Sequence, residues 1–119
     1  MPTTLVFGAS LKPNRYSNLV VKRLLEHNIT TVAFGLRPGL IDSVQIKTNL
    51  DELPKVDIVT LYLGAERQKQ YYESIIGLKP KKVIFNPGTE NPEFYDMLAI
   101  NGVEVEVACT LVLLSTGQY

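Results

Sequence analysis

Leu5, Val6 and Phe7 are apolar at three consecutive positions, and the run stops at Gly8. Consecutive apolar residues suit a strand covered on both faces, which in an open sheet means parallel strands with helices on either side. The segment GASLKPNRYS follows, carrying Lys12 and Arg15, and an amphipathic pattern opens at Ser17. Leu19, Val20, Val21, Leu24 and Leu25 fall largely on one helical face, with Lys22, Arg23 and Glu26 on the other. Ser17 is the expected N-cap and Asn28 the C-terminal stop. Strand, loop and helix start in this order suit an anion. Helix N-termini offer unpaired N–H groups, and ligands of open α/β sheets bind beyond the carboxyl ends of the strands.

The rest of the chain continues the alternation. Thr31–Gly35 reads as a second buried strand, ended by the turn LRPG where Pro38 and Gly39 forbid continuation. Within Ile41–Thr48, Val44 and Ile46 alternate against Gln45 and Lys47 as in a short edge strand, and Asn49 with Glu52 forms a capped turn. Asp57–Leu63 is the next strand, closed by Gly64. A helix over Ala65–Ile76 turns Tyr72, Ile75 and Ile76 inward, with Gly77 as its C′ residue. Lys82–Phe85 is a further strand. After the turn NPGTENP, Asn91 caps and Pro92 opens a helix to about Asn101. Val103–Val107 alternates strictly, which places it at a sheet edge. The apolar tail Cys109–Leu114 packs on the domain or joins a partner subunit as a homodimer or hetero-contact, packing in cis being favoured. The pattern predicts an α/β, three-layer Rossmann-like fold over residues 1–119 as one domain. Its sheet is mainly parallel, of five to six strands with the first central and helices on both faces.

Twelve basic residues balance twelve acidic ones, so no global positive field favours nucleic acid, and phosphate recognition must be local. Lys12, Arg15 and Arg37 gather near the expected ligand positions, whereas Lys79, Lys81 and Lys82 read as a solvated turn. One cysteine, Cys109, excludes an intramolecular disulfide and a thiolate metal cluster. The N-terminus lacks a basic leader, and no apolar run is long enough to span a bilayer, so a cytoplasmic protein without membrane contact is expected.

A dinucleotide fingerprint needs three glycines, so that backbone can approach the pyrophosphate and the helix can pack on the strand. Only Gly8 is present, and Ser10 stands where the second glycine belongs. NAD also requires an acid at the end of the second strand, where this chain has Gly35, Leu36 and Arg37. A guanidinium suits a phosphate on the ribose instead. The residues thus leave NADP and coenzyme A as ligands, alongside the reading of Arg37 as a solvated turn residue.

The stretch VFGASLKPNRYS resembles the first loop of small standalone coenzyme A-binding proteins, in which a strand leads to Gly-Ala-Ser and then to Arg-x-Ser opening the helix. The DELPKVDIV stretch, the FNPGTEN turn and Cys109 fall in family-like order. These proteins are similar to the nucleotide-binding domains of nucleoside diphosphate-forming acyl-CoA synthetases and succinyl-CoA synthetase α subunits. The resemblance implies a Rossmann-like fold and coenzyme A or an acyl-CoA as ligand. Gly8, Ala9 and Ser10 match the turn that approaches the pyrophosphate, and Arg15 and Ser17 match the Arg-x-Ser, with Lys12 adding to the anion site. Arg37 falls near the basic position for the adenosine 3′-phosphate, although GLRP departs from the family's Asn-Pro. Tyr62 and Gly64 lie where pantetheine or adenine would pass, core packing being favoured for Tyr62. Pro87 and Gly88 match the family's Pro-Gly turn.

No nucleophile and base stand in a recognisable arrangement, and His27 lies at the helix end opposite the anion site, where it complements the dipole. A non-catalytic ligand-binding domain is therefore expected. The competing classes are an NADP-using reductase-like domain and an interaction module with a decayed site. For Cys109, a mixed disulfide with the coenzyme A sulfur competes with the reading of an inert, buried thiol.

Overall fold

The computed structural model describes residues 2–119. Strand β1 (Thr3–Phe7) leads through the loop into helix α1 (Tyr16–Glu26), then to β2 (Thr30–Phe34), β3 (Gly39–Ile41) and β4 (Val44–Lys47). A 3-10 turn at Leu50–Glu52 precedes β5 (Ile58–Leu61), α2 (Ala65–Gln68), α3 (Tyr72–Gly77) and β6 (Lys82–Phe85). Helix α4 (Pro92–Ile100), β7 (Glu104–Val107) and α5 (Thr110–Ser115) complete the chain.

The sheet has seven strands in the order β3-β4-β2-β1-β5-β6-β7, all parallel except β3. The chain moves from β1 outward to β4, then returns past β1 to β5. The crevice between β1 and β5 is therefore the topological switch point. Register brings Phe7 opposite Phe34 and Leu61, and Leu61 opposite Phe85, so four strands end at one level.

Alternation in β1 divides the core. Leu5 and Phe7 pack with Val59, Leu61, Ile75 and Phe94 on the face covered by α3 and α4. Val6 packs with Val20, Val21, Leu24, Ile46 and Leu114 on the face of α1 and α5. All but Leu114 of these twelve are essentially inaccessible. Burial of such side chains stabilises by roughly 1.5–3 kcal/mol each, so the two faces together form the dominant favourable contribution.

Several local expectations are corrected. The sheet gains one strand, because Asp42 adopts a left-handed conformation (φ 51°) and folds Gly39–Ile41 back onto β4. β3, not Val44–Lys47, is therefore the edge on that side. The N-cap of α1 is Arg15 (φ −84°, ψ 142°), and Ser17 lies buried one residue inside the helix. The expected single helix over 65–76 is interrupted by a 3-10 turn at Lys69–Tyr71. Gly77 belongs to α3, and the left-handed residue beyond it is Lys79 (φ 52°). Asn28 does terminate α1 in the left-handed conformation (φ 59°), and Asn91 caps α4 by accepting from the Phe94 amide at 3.2 Å.

The apolar tail packs in cis. Leu113 and Leu114 are buried, Tyr119 packs against the α1 side of the core, and its hydroxyl hydrogen-bonds to Thr4. Burial pushes the Tyr119 phenol up to about 12. An unfolded tyrosine ionises near pH 10, so this contribution is complete below pH 10 and declines as pH rises from there to about 12. Phe in place of Tyr119 is expected to flatten the alkaline fall of stability by about 1.4 kcal/mol per pH unit in that window. Urea unfolding at pH 9, 10 and 11 measures this, and parallel curves for the two proteins would contradict it.

Candidate functional site

At the carboxyl ends of β1, β2, β5 and β6 the chain encloses a cavity of about 680 Å³. Small-molecule sites span roughly 300–1,000 Å³. Every residue expected from sequence to bind the ligand lies on its wall. The first loop contributes Gly8, Ala9, Ser10, Lys12, Arg15 and Ser17, and the β2 end contributes Arg37. Tyr62 and Gly64 come from the β5 end, Pro87 and Gly88 from the β6 end.

The first loop is shaped by backbone chemistry. Gly8 has φ +100°, a conformation that side chains disfavour. The Gly8 and Ala9 amides both donate to the Phe34 carbonyl, at 2.9 and 2.8 Å, which pins the loop to the end of β2. A Cβ on Gly35 would sit 2.4 Å from the Ala9 carbonyl oxygen, so glycine is required there for the close approach. The Ser10 hydroxyl accepts from the Lys12 amide at 3.1 Å, and Asn18 donates its side-chain amide to the Ser10 carbonyl at 2.9 Å. With the Gly8 and Ala9 amides committed, the helix amides of Tyr16 and Ser17 have no acceptor among the described residues, and neither do the loop amides of Ser10, Leu11 and Asn14.

Charge distinguishes this cavity from the rest of the surface. Lys12, Arg15, Arg37 and Arg67 line it, and among the described residues no Asp or Glu does. None of the four is in an ion pair among the described residues; Arg23, Lys47, Lys69 and Lys82 each are, and the other unpaired cations, Lys22, Lys55, Lys79 and Lys81, do not line the cavity. A net-neutral chain has concentrated uncompensated cations at one opening, a field that attracts polyanions. Lys79 and Lys81 are exposed at the opposite, amino end of β6. His27, too, lies away from the site, as the C-cap of α1.

Aromatic and apolar groups form the floor. Phe34 and Tyr71 line the cavity and contact Phe7 beneath, with ring centroids 4.8 Å (Phe7–Phe34), 5.1 Å (Phe7–Tyr71) and 5.7 Å (Phe34–Tyr71) apart. Tyr62 packs on the α1 side of the core, and burial raises its pKa far above the ordinary phenol value. It is both core aromatic and wall residue.

Beyond Leu61 and Phe85 the strand ladder ends, and side-chain amides hold the walls. Asn86 donates to the Thr60 hydroxyl at 2.7 Å and the Leu61 carbonyl at 2.8 Å, and accepts from the Thr110 amide at 2.8 Å. The Thr89 hydroxyl donates back to the Asn86 carbonyl at 2.7 Å. These bonds fix the turn Pro87–Thr89, in which Gly88 has φ +91°.

Sequence reasoning missed Arg67, Phe34 and Tyr71. Arg67 was hidden in the polar face of an expected helix. The detectable signal is its place in the first turn after Gly64, directly over the end of the strand at the switch point.

The fold recurs in solved structures. An uncharacterized protein is 41% identical, with a TM-score of 0.95 over 100% of this chain and 98% of its own. A hypothetical protein from Pyrococcus horikoshii is 26% identical (TM-score 0.85, 95% of this chain and 81% of that one). A Thermus thermophilus protein, 24% identical with a TM-score of 0.88 over 99% of this chain and 90% of its own, shares the fold. No curated protein sequence matches. The family model described as "CoA binding domain" matches residues 2–115, and the chain belongs to that family.

Proposed function

We propose that the cavity binds coenzyme A or an acyl-CoA and that the chain performs no chemistry on it. The observation that carries this reading is a set of four cations that, among the described residues, have no ion pair and no lining carboxylate beside them, around one cavity of a net-neutral protein. Coenzyme A presents a pyrophosphate and a ribose phosphate, and such oxygens take charge-assisted bonds from guanidinium and ammonium groups. The free Tyr16 and Ser17 amides at the N-terminus of α1 add donors for the same anion. On the matching positions Lys12, Arg15 and Ser17 meet the pyrophosphate, Arg37 the adenosine phosphate, and Tyr62, Gly64, Pro87 and Gly88 flank the pantetheine arm.

The described lining offers no carboxylate, imidazole or thiol that could move a proton near neutral pH. Tyr62 holds its proton too firmly to act as a base. Both facts support a binding role. Arg37 also suits the ribose phosphate of NADP, which keeps one rival ligand.

Calorimetric titration with coenzyme A, NADP and NAD separates the readings. Coenzyme A is expected to bind most tightly, NADP weakly through its ribose phosphate, and NAD least. A preference for NADP over coenzyme A would replace the proposal with the reductase-like alternative, and absence of heat with millimolar coenzyme A would refute it.

A further inference from the structure

We infer that Gln68 is a positioning residue that sets the separation of the two cavity walls at the ends of β5 and β6. The inference uses the coenzyme A reading only for the ligand that tests it. Gln68 is fully buried, at 0% exposure, although it belongs to a short surface helix. Its Nε2 donates to the Leu63 carbonyl and to the Thr89 carbonyl, both at 2.8 Å. Leu63 and Thr89 both line the cavity, just beyond the ends of the neighbouring strands β5 and β6. One side-chain amide therefore staples two segments whose backbone ladder has already ended at Leu61 and Phe85.

The orientation of that amide is itself enforced. Gln68 Oε1 accepts from Asn91 Nδ2 at 2.9 Å, and the same nitrogen donates to the Tyr72 hydroxyl at 2.8 Å. Tyr72 in turn donates to Glu93 at 2.9 Å. Two carbonyls need the NH2 group and one amide donor needs the oxygen, so only one placement of the Gln68 amide satisfies every partner. Buried polar groups cost stability unless hydrogen-bonded. An apolar residue would fill the space but would leave two carbonyls without donors. Gln68 touches no part of the cavity surface itself and acts through the walls it joins.

Gln68→Glu and Asn91→Asp test the staple. A carboxylate keeps the shape of Gln68 but cannot donate to either carbonyl once ionised. Asp at position 91 keeps the helix cap and loses the donor that orients Gln68. The readout is the ratio of coenzyme A dissociation constants, variant over wild type, from pH 6 to pH 9. For Gln68→Glu the ratio is expected to rise with pH to at least tenfold, as the carboxyl loses its donor proton. Asn91→Asp should shift it in the same direction by a smaller factor, which also carries the test if Gln68→Glu does not fold. A merely structural defect would lower the thermal midpoint without this pH profile. Wild-type affinity in Asn91→Asp and in folded Gln68→Glu at pH 9 overturns the inference.

Amide exchange of the ligand-free protein separates this result from the ligand reading. Residues 63–66 and 88–90 should exchange faster together in both variants. If wild-type protein fails to bind coenzyme A, the proposed function falls, and unchanged exchange in these two segments would still overturn the staple.

Discussion

Replacing Asn86 by alanine is expected to lower the stability of the protein by about 3–5 kcal/mol, within the range for breaking a buried hydrogen-bond network. Asn86 is 2% exposed and makes three side-chain hydrogen bonds, to Thr60, to Leu61 and from the Thr110 amide. Truncation leaves the Leu61 carbonyl and the Thr110 N–H without partners in the interior. Each unsatisfied group costs about 1–3 kcal/mol. The Thr60 hydroxyl keeps its 2.8 Å bond to Thr110 Oγ1, which limits the total. Thr110→Val, which removes only that hydroxyl bond and retains the amide, should cost about 1–2 kcal/mol. Urea unfolding of the three proteins measures the difference. A loss below 1 kcal/mol for Asn86→Ala would mean that the network is not what holds the β6 end.

The same contrast between local and distant causes explains what could be read in advance. β1, β2, β5 and β6 were legible because their residues are apolar on both faces, a pattern that only a covered parallel sheet rewards. The three residues of β3 carry no such pattern. Gly39, Leu40 and Ile41 form a strand only because β4 supplies the pairing, and Leu40 stays exposed. The two-residue connection Asp42-Ser43 was the available sign of a hairpin.

The helix after β5 failed for a different reason. Its apolar residues follow one helical stripe, yet Gln68 is drawn inward to two carbonyls and Tyr71 stacks its edge on Phe7 and Phe34. The segment tightens to a 3-10 turn between these anchors. Tertiary partners beyond the segment decide this, so no local pattern could show it. Ser17 has the residue type of a cap and directly precedes the apolar stripe, yet the backbone turns helical at Tyr16 and Arg15 takes the cap position. The site itself was more legible than its scaffold details. Gly8, Lys12, Arg15 and Arg37 announce themselves by their place after strand ends, while Arg67 sits within a helix, where only its first-turn position after Gly64 marks it.

Arg15→Ala should weaken coenzyme A binding by about 1.5–3 kcal/mol, the worth of a charge-assisted hydrogen bond to phosphate, or roughly tenfold to a hundredfold in dissociation constant. Arg15 holds the N-cap position of α1, next to the two free amides, so its charge and the helix terminus address one anion. It forms no ion pair among the described residues, so its removal exposes no unpaired carboxylate, and stability should change little. Affinity and stability thereby separate. Arg23 provides the control. It lies on the same helix, paired with Glu26 at 3.6 Å and remote from the cavity, so Arg23→Ala should bind as wild type does. Because the cations act from exposed positions, the affinity should also fall with added salt, and the Arg15→Ala protein should show a shallower dependence. Calorimetry at low and high ionic strength reads both effects. Equal salt slopes and equal dissociation constants for Arg15→Ala and Arg23→Ala would mean that the phosphates are held elsewhere.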